Sequence, residues 1–384
     1  MIQIARPLLG EAEAEAAREA VLSGWVSQGP AVAAFEAEFA RLTGAAHACA
    51  VSNCTTALHL ALLGLGIGPG DEVITVSHSF IAAANAIRQC GAMPVFVDIE
   101  EGGYNIDPEA IAPAITPRSR ALLVVHQVGM PCDMAAVMRV ARAHGLPVIE
   151  DAACAIGAEI RTPEGWQPVG APIGDVACFS FHPRKVITTG EGGMLTTADP
   201  ALDARFRLWR QHGMSLPDTL RHASDRVLFE TYPERGFNYR MTDVQAAVGR
   251  AQLTRLPGII AARRALAARY GALLAAVPGV TAPAEPDWAR SNWQSYAVRL
   301  APGLDQRAVM QSLLDRGIAS RRGIMCAHLE PAQADVPLPR PLPRSEAARD
   351  RAVLLPLYAQ MTGEEQDRVV EALAAAVAAG AVPA

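Results

Sequence analysis

Six short apolar runs, AHACAV, EVITV, MPVFVDI, RALLVVH, LPVIEDA and DVACFSF, follow one another through the first half of the chain, parted by helical or glycine-containing segments. Unbroken apolar strands need cover on both faces, and helices lying between successive strands supply it, so the pattern predicts an α/β layer around a mostly parallel sheet. In such sheets the working residues gather at the strand ends.

Residues 11–22 and 31–43 carry helical periodicity on either side of the turn GWVSQGP. An alanine-rich helical stretch from Thr242 to Leu256 is followed by a PG pair and then by IIAARRALAARYGALLAAV, read as a long helix leading into another domain. Beyond it lie a strand candidate, WQSYAVRL, a helix at 306–315, and a last helix opened by MTGEEQDRVVEAL, where Thr362 and Glu365 have capping-box spacing. A length of 384 residues exceeds one ordinary core. We therefore expect a larger domain over 1–255 and a smaller one over 256–384, with the proline-rich EPAQADVPLPRPLPRSE as a connecting loop.

Charge and cysteine usage narrow the function. With 34 basic against 39 acidic residues and no basic run, the chain does not suit a nucleic-acid backbone. The seven cysteines are scattered without a CxxC pair, which argues against a disulfide framework and a structural metal site. The first residues lack a basic-then-apolar signal segment and later apolar stretches are short, so a cytoplasmic protein that does not enter membranes is expected.

Three pieces of chemistry sit at predicted strand ends. In VSNCTTALHLALLGLGIG, Ser52, Asn53, Thr55 and Thr56 precede an apolar helical run, where free amides and hydroxyls can hold a phosphate or simply cap the helix. Neither a Walker loop nor a GxGxxG fingerprint is present. The run LPVIEDA ends in Glu150 and Asp151, and strand alternation points the two oppositely. Asp151 is the better candidate to face a protonated nitrogen in a pocket, the alternative being that both acids cap a helix or meet arginines. In CFSFHPRK, alternation puts Cys178, Ser180 and His182 on one face and Phe179 and Phe181 on the other, and Lys185 follows at the strand end. A lysine can form an imine with a carbonyl cofactor once burial and nearby positive charge lower its usual pKa of about 10.4. Phosphate site, acid and lysine together suggest pyridoxal 5'-phosphate, although each alone has a bland structural reading.

From SGWVSQGPAVAAFEAEFA through GPGDEVITVSHSFIAAANAI, VHQVGMPCDM, SFHPRKVITTGEGGM and GFNYRMTDVQAAVGRAQL to LLPLYAQMT, the chain resembles the DegT-type sugar aminotransferases, a branch of the fold-type I pyridoxal-phosphate enzymes. The resemblance implies that Lys185 bonds the cofactor as a Schiff base and that Asp151 pairs with its pyridine nitrogen. It implies that Ser180, Cys54 and Thr55 hold the phosphate, with cysteine where the family more often has glycine, and that Phe80 stacks over the ring. Cys154 stands where relatives commonly carry glutamine or histidine near the cofactor phenolate. Asn238 matches a phosphate ligand donated by the neighbouring subunit, so a homodimer with shared active sites is implied. VHQVG lacks the aromatic residue often found before its glycine, and His328 lacks a frequent nearby tyrosine; His328 and Trp25 are the candidates for the substrate side.

The implied activity moves an amino group from glutamate or glutamine to a keto sugar, nucleotide-linked in the usual family pattern. A ketocyclitol or other polyhydroxylated ketone is the alternative acceptor. A sugar dehydratase, in whose branch histidine replaces the lysine, and a noncatalytic cofactor-binding sensor are the alternative classes.

Overall fold

The computed structural model describes every residue except 172, 218, 219, 222, 223 and 381–384. Each of the six apolar runs contains a strand of one sheet: β1 (His47–Val51), β2 (Glu72–Val76), β3 (Met93–Val97), β4 (Ser119–Val125), β5 (Val148–Asp151) and, after a hairpin, β8 (Val176–Ser180). With β9 (Gly193–Thr197) they lie in the order β1-β9-β8-β5-β4-β2-β3. The pairs β3–β2, β2–β4, β4–β5 and β5–β8 are parallel, while β9 runs antiparallel to β8 and β1. The expected mostly parallel α/β layer is therefore present. The hairpin itself, β6 (Glu159–Thr162) and β7 (Gly165–Pro168), has no counterpart in the sequence reading. It pairs with Ala289–Arg290 and so ties this region to the C-terminal third of the chain.

Helices α1 (Glu11–Leu22) and α2 (Pro30–Thr43) form where their periodicity predicts. Proline suits the first position of α2, and Gly44, at φ 74°, closes it. Its orphan amides meet a distant acid: Asp243 accepts from Gly29 N at 2.7 Å, Ala31 N at 3.0 Å and Val32 N at 3.0 Å. On the buried face of α2, Phe35 and Phe39 pack against Phe179 and Phe181, with centroids 4.9 to 5.7 Å apart across the two elements. This is the side of β8 that faces away from Ser180, so packing of one strand face aims the other.

The two helical stretches read on either side of Pro257 are one element. One helix runs from Asp243 to Leu274 with the proline inside it. Pro257 and Gly258 are exposed while Leu256, Ile259 and Ile260 stay buried, so packing on either side of the proline offsets the hydrogen bond it removes. Leu253, Leu256, Ile259 and Ile260 belong to the large core around the seven-stranded sheet, whereas Ala267, Tyr270 and Leu274 belong to a second core. That second core covers a four-stranded antiparallel sheet built from Val280–Thr281, Tyr296–Leu300, Ala352–Leu355 and Arg321–Arg322. Ile2 reaches it from the N-terminus by bridging to Ile318. The predicted helices at Gln306–Asp315 and Gly363–Ala378 are present, the latter with the Thr362–Glu365 capping box. The proline-rich segment is not loop throughout: it contains a short turn of helix at Pro331–Gln333 and opens the helix Pro343–Arg351.

Candidate active site

At the C-terminal edge of the sheet, β5 and β8 lie side by side, with Asp151 opposite Cys178. Alternation then separates the two acids as expected. Glu150 turns away and accepts from His126 Nε2 at 3.0 Å and from Gly174 N at 2.7 Å. Asp151 faces the other side of the sheet edge, where its Oδ1 accepts from Ala153 N at 3.0 Å and meets the Cys54 thiol at 4.0 Å. Its Oδ2 has no partner among the described residues. Burial pushes the Asp151 carboxyl above its ordinary value, against the opposing pull of the Ala153 amide, Lys185 and His126.

The HPRK sequence that follows β8 forms a defined local structure. His182, Pro183, Arg184 and Lys185 form a tight turn closed by Lys185 N donating to His182 O at 2.8 Å, with proline at the second position that such turns favour. The turn carries the Lys185 side chain inward, where Nζ donates to Cys154 Sγ at 3.1 Å. The expected lowering of the amine pKa is not found. Burial does work in that direction, but Cys154, Asp151 and Cys54 outweigh it and hold the amine above the ordinary lysine range. The surroundings of Lys185 are one acid and two thiols rather than cations.

Facing this group is the start of α3 (Cys54–Gly64). Asn53 caps it by accepting from Thr56 N at 2.9 Å, which leaves the amides of Cys54 and Thr55 without partners among the described residues. Gly193 pairs with both Ser180 and Val51, placing Ser180 one strand away from this helix start. A Cβ on Gly193 would come within 2.5 Å of the Asn53 carbonyl group and 2.8 Å of Cys54 N, so only glycine lets β9 pass so close. Free amides, the Thr55 and Ser180 hydroxyls and a close-approach glycine form a cradle suited to a phosphate. A buried acid with an open oxygen and an inward amine suit a pyridinium ring bearing an aldehyde. The residues present thus fit pyridoxal phosphate.

The remaining candidates divide by location. Phe80, four residues past β2, is 60% exposed, and Asn238 is exposed on a short bridge to Gln211. Trp25 packs over Gly29 and lines a groove of about 1090 Å³ between α1, α2 and the helix Asp243–Leu274, a groove that Lys185 does not line. His328 spends both ring nitrogens on protein groups, Ser77 Oγ at 2.6 Å and Glu346 Oε1 at 3.3 Å. Sequence reasoning missed Asn292, whose amide donates to the carbonyls of Cys154 at 2.8 Å and Ile156 at 2.9 Å and so fixes the turn after Asp151. Its one detectable signal is Gly129, at φ 96°, whose missing side chain makes room for the Asn292 oxygen.

A lysine and an acid on adjacent strand ends, opposite a phosphate-ready helix start on a seven-stranded α/β sheet, define a pyridoxal-phosphate-dependent transferase. The chain belongs to the DegT/DnrJ/EryC1/StrS aminotransferase family, whose model matches residues 7–374. Members of this family work with pyridoxal phosphate. The chain is 41% identical to the GDP-perosamine synthase of Caulobacter vibrioides over 97% of both chains. To the spore coat polysaccharide biosynthesis protein SpsC of Bacillus subtilis it is 38% identical, over 96% of this chain and 95% of that protein. Among solved structures, the aminotransferase TlmJ from Streptoalloteichus hindustanus superposes with a TM-score of 0.90 at 35% identity, covering 99% of each chain.

Proposed function

We propose that the protein transfers an amino group from glutamate or glutamine to a nucleotide-linked keto sugar, as a cytoplasmic homodimer in which each site borrows Asn238 from the other subunit. The observation that carries the chemistry is the placement of the Lys185 amine beside the strand end that bears Asp151, across from the start of α3. The acceptor class is supported by the relative named GDP-perosamine synthase.

Pyridoxal phosphate, when bound, supplies an aldehyde that takes up the amino group and a ring that withdraws electrons. The chain's own residues do the rest. Asp151, ionised at Oδ2, holds a proton on a ring nitrogen. The Cys54 and Thr55 amides with the Ser180 hydroxyl bind phosphate and fix orientation, and Phe80 covers a ring face and excludes water. In the cofactor-free chain the Lys185 amine rests protonated beside Cys154 Sγ; with cofactor bound, its neutral form would accept and return the proton that a donor's α carbon must lose.

The test combines spectrum and product. The purified protein should show a near-visible cofactor band that changes on adding glutamate or glutamine, and a nucleotide-linked keto sugar should leave as the amine. Lys185→Ala should lower turnover at least ~1,000-fold while retaining phosphate binding. Wild-type-like multiple turnover by that variant would remove Lys185 from the role. Loss of a sugar oxygen without amino transfer would make the protein a dehydratase, and amination confined to ketocyclitols would replace the acceptor.

A further inference from the structure

The segment that carries Phe80 is held from the C-terminal third of the chain. Directly after β2 the chain passes through Ser77, His78 and Ser79, all buried, before Phe80 emerges. Ala327 N donates to Ser77 O at 2.8 Å, and His78 bridges Cys326. The Ser77 hydroxyl accepts from His328 N at 3.3 Å and lies 2.6 Å from His328 Nδ1. A ring with its proton on Nε2 satisfies every partner: Ser77 Oγ–H donates to Nδ1, and Nε2–H donates to Glu346 at 3.3 Å. Glu346 belongs to the helix Pro343–Arg351, whose Ser345 in turn bonds Asp98 just past β3 at 2.6 Å. The belt therefore runs from the end of β3 through this helix and His328 to the end of β2.

The His78 ring, unlike its backbone, is held by stacking. It stacks on Tyr104 at 5.6 Å, and neither ring nitrogen has a hydrogen-bond partner among the described residues. Among the described residues, this three-residue stretch is tied to other elements by Ser77 N donating to Val97 O at 3.4 Å, by Gln127 Nε2 donating to His78 O at 2.6 Å, and otherwise by 326–328. The His328 side chain is only 4% exposed and has no ring nitrogen to spare.

We propose that His328 is a positioning residue: through Ser77 it sets the direction in which Phe80 is presented to the cofactor ring, and it does not contact the substrate. This rests on the aminotransferase reading given above and on Phe80 as the ring cover. It places one determinant of cofactor geometry in the C-terminal part of the molecule, far in sequence from the lysine and the acid.

The experiment compares holoenzyme variants His328→Leu, His328→Asn, Ser77→Ala and the double Ser77→Ala/His328→Leu. Asparagine keeps a polar atom near the place of Nδ1. The readouts are the dissociation constant of pyridoxal phosphate, the circular dichroism of its bound absorption band, and acceptor KM against kcat. Ser77→Ala and His328→Leu should each weaken cofactor binding about tenfold and alter the band alike. The double variant should be no worse than either single one, because both cut the same link. His328→Asn should recover most of the band, and acceptor KM should stay within about twofold throughout. A Ser77→Ala protein with native band and affinity would overturn the proposal, as would a raised acceptor KM in His328→Leu with the band intact. Wild-type protein that binds no pyridoxal phosphate would instead refute the aminotransferase reading itself.

Discussion

Val128 holds φ 53° and ψ 11°, a left-handed conformation that a β-branched side chain resists. It is kept there because Gly129 must pass Asn292 and because Val128 O accepts from Ser295 N at 3.1 Å. Val128→Asn should raise unfolding free energy by about 1 kcal/mol, measured by urea titration, since asparagine tolerates this region. Asp151 carries a different load. Its raised folded pKa means that the folded, cofactor-free chain binds this proton more tightly than the unfolded chain does, so the ionised carboxylate costs stability as pH rises above its ordinary value of 3.8. Asp151→Asn should therefore melt higher than the wild type near neutral pH without cofactor, with the gap closing as pH falls below that value. A gap that widens in acid would reverse the sign of the argument. The same variant should bind cofactor less tightly, since nothing then faces the ring nitrogen with charge. Asp151, Lys185 and Ser180 were legible because strand alternation and a terminal proline determine where side chains point. The Lys185 pKa direction was not, because it depends on Cys54 and Cys154, which approach from elsewhere in the chain.

At the scale of elements, Gly193 is the tightest constraint. An alanine there would press its Cβ against backbone rather than a movable side chain, so β9 or α3 must shift. Gly193→Ala should cost about 1–3 kcal/mol and weaken phosphate binding together, read by thermal melting and by pyridoxal-phosphate titration. Unchanged cofactor affinity would show that the α3 start does not hold phosphate. The glycine cluster was visible in the sequence, but its reason was not, since the approach joins residues 53–54 to 193. Helices α1 and α2, the six apolar strands and the final capping box were legible because their signals are periodic or local, whereas β9 lay unread among the glycines after Lys185. The β6–β7 hairpin escaped because its polar, weakly alternating residues gain their stability from Ala289–Arg290. Continuity across Pro257 was not legible for a related reason: a proline breaks an isolated helix, yet here Leu256, Ile259 and Ile260 are buried while Pro257 and Gly258 meet water.

At the scale of the whole molecule, the proposal of shared sites makes a numerical prediction. Lys185→Ala and Asn238→Ala chains should each be inactive as homodimers. Mixed and re-equilibrated, half of the dimers are hybrids, and each hybrid regains one intact site of two, so activity should return to about one quarter of wild type. Recovery near zero would place Asn238 in its own subunit's site.

The helix Asp243–Leu274 has a consequence for how the protein comes apart. Because a single rod furnishes wall residues to both hydrophobic interiors, neither interior can melt without withdrawing support from the other. Denaturation followed at the parallel sheet and at the antiparallel sheet should then trace one coincident curve, despite a length at which chains often come undone in stages.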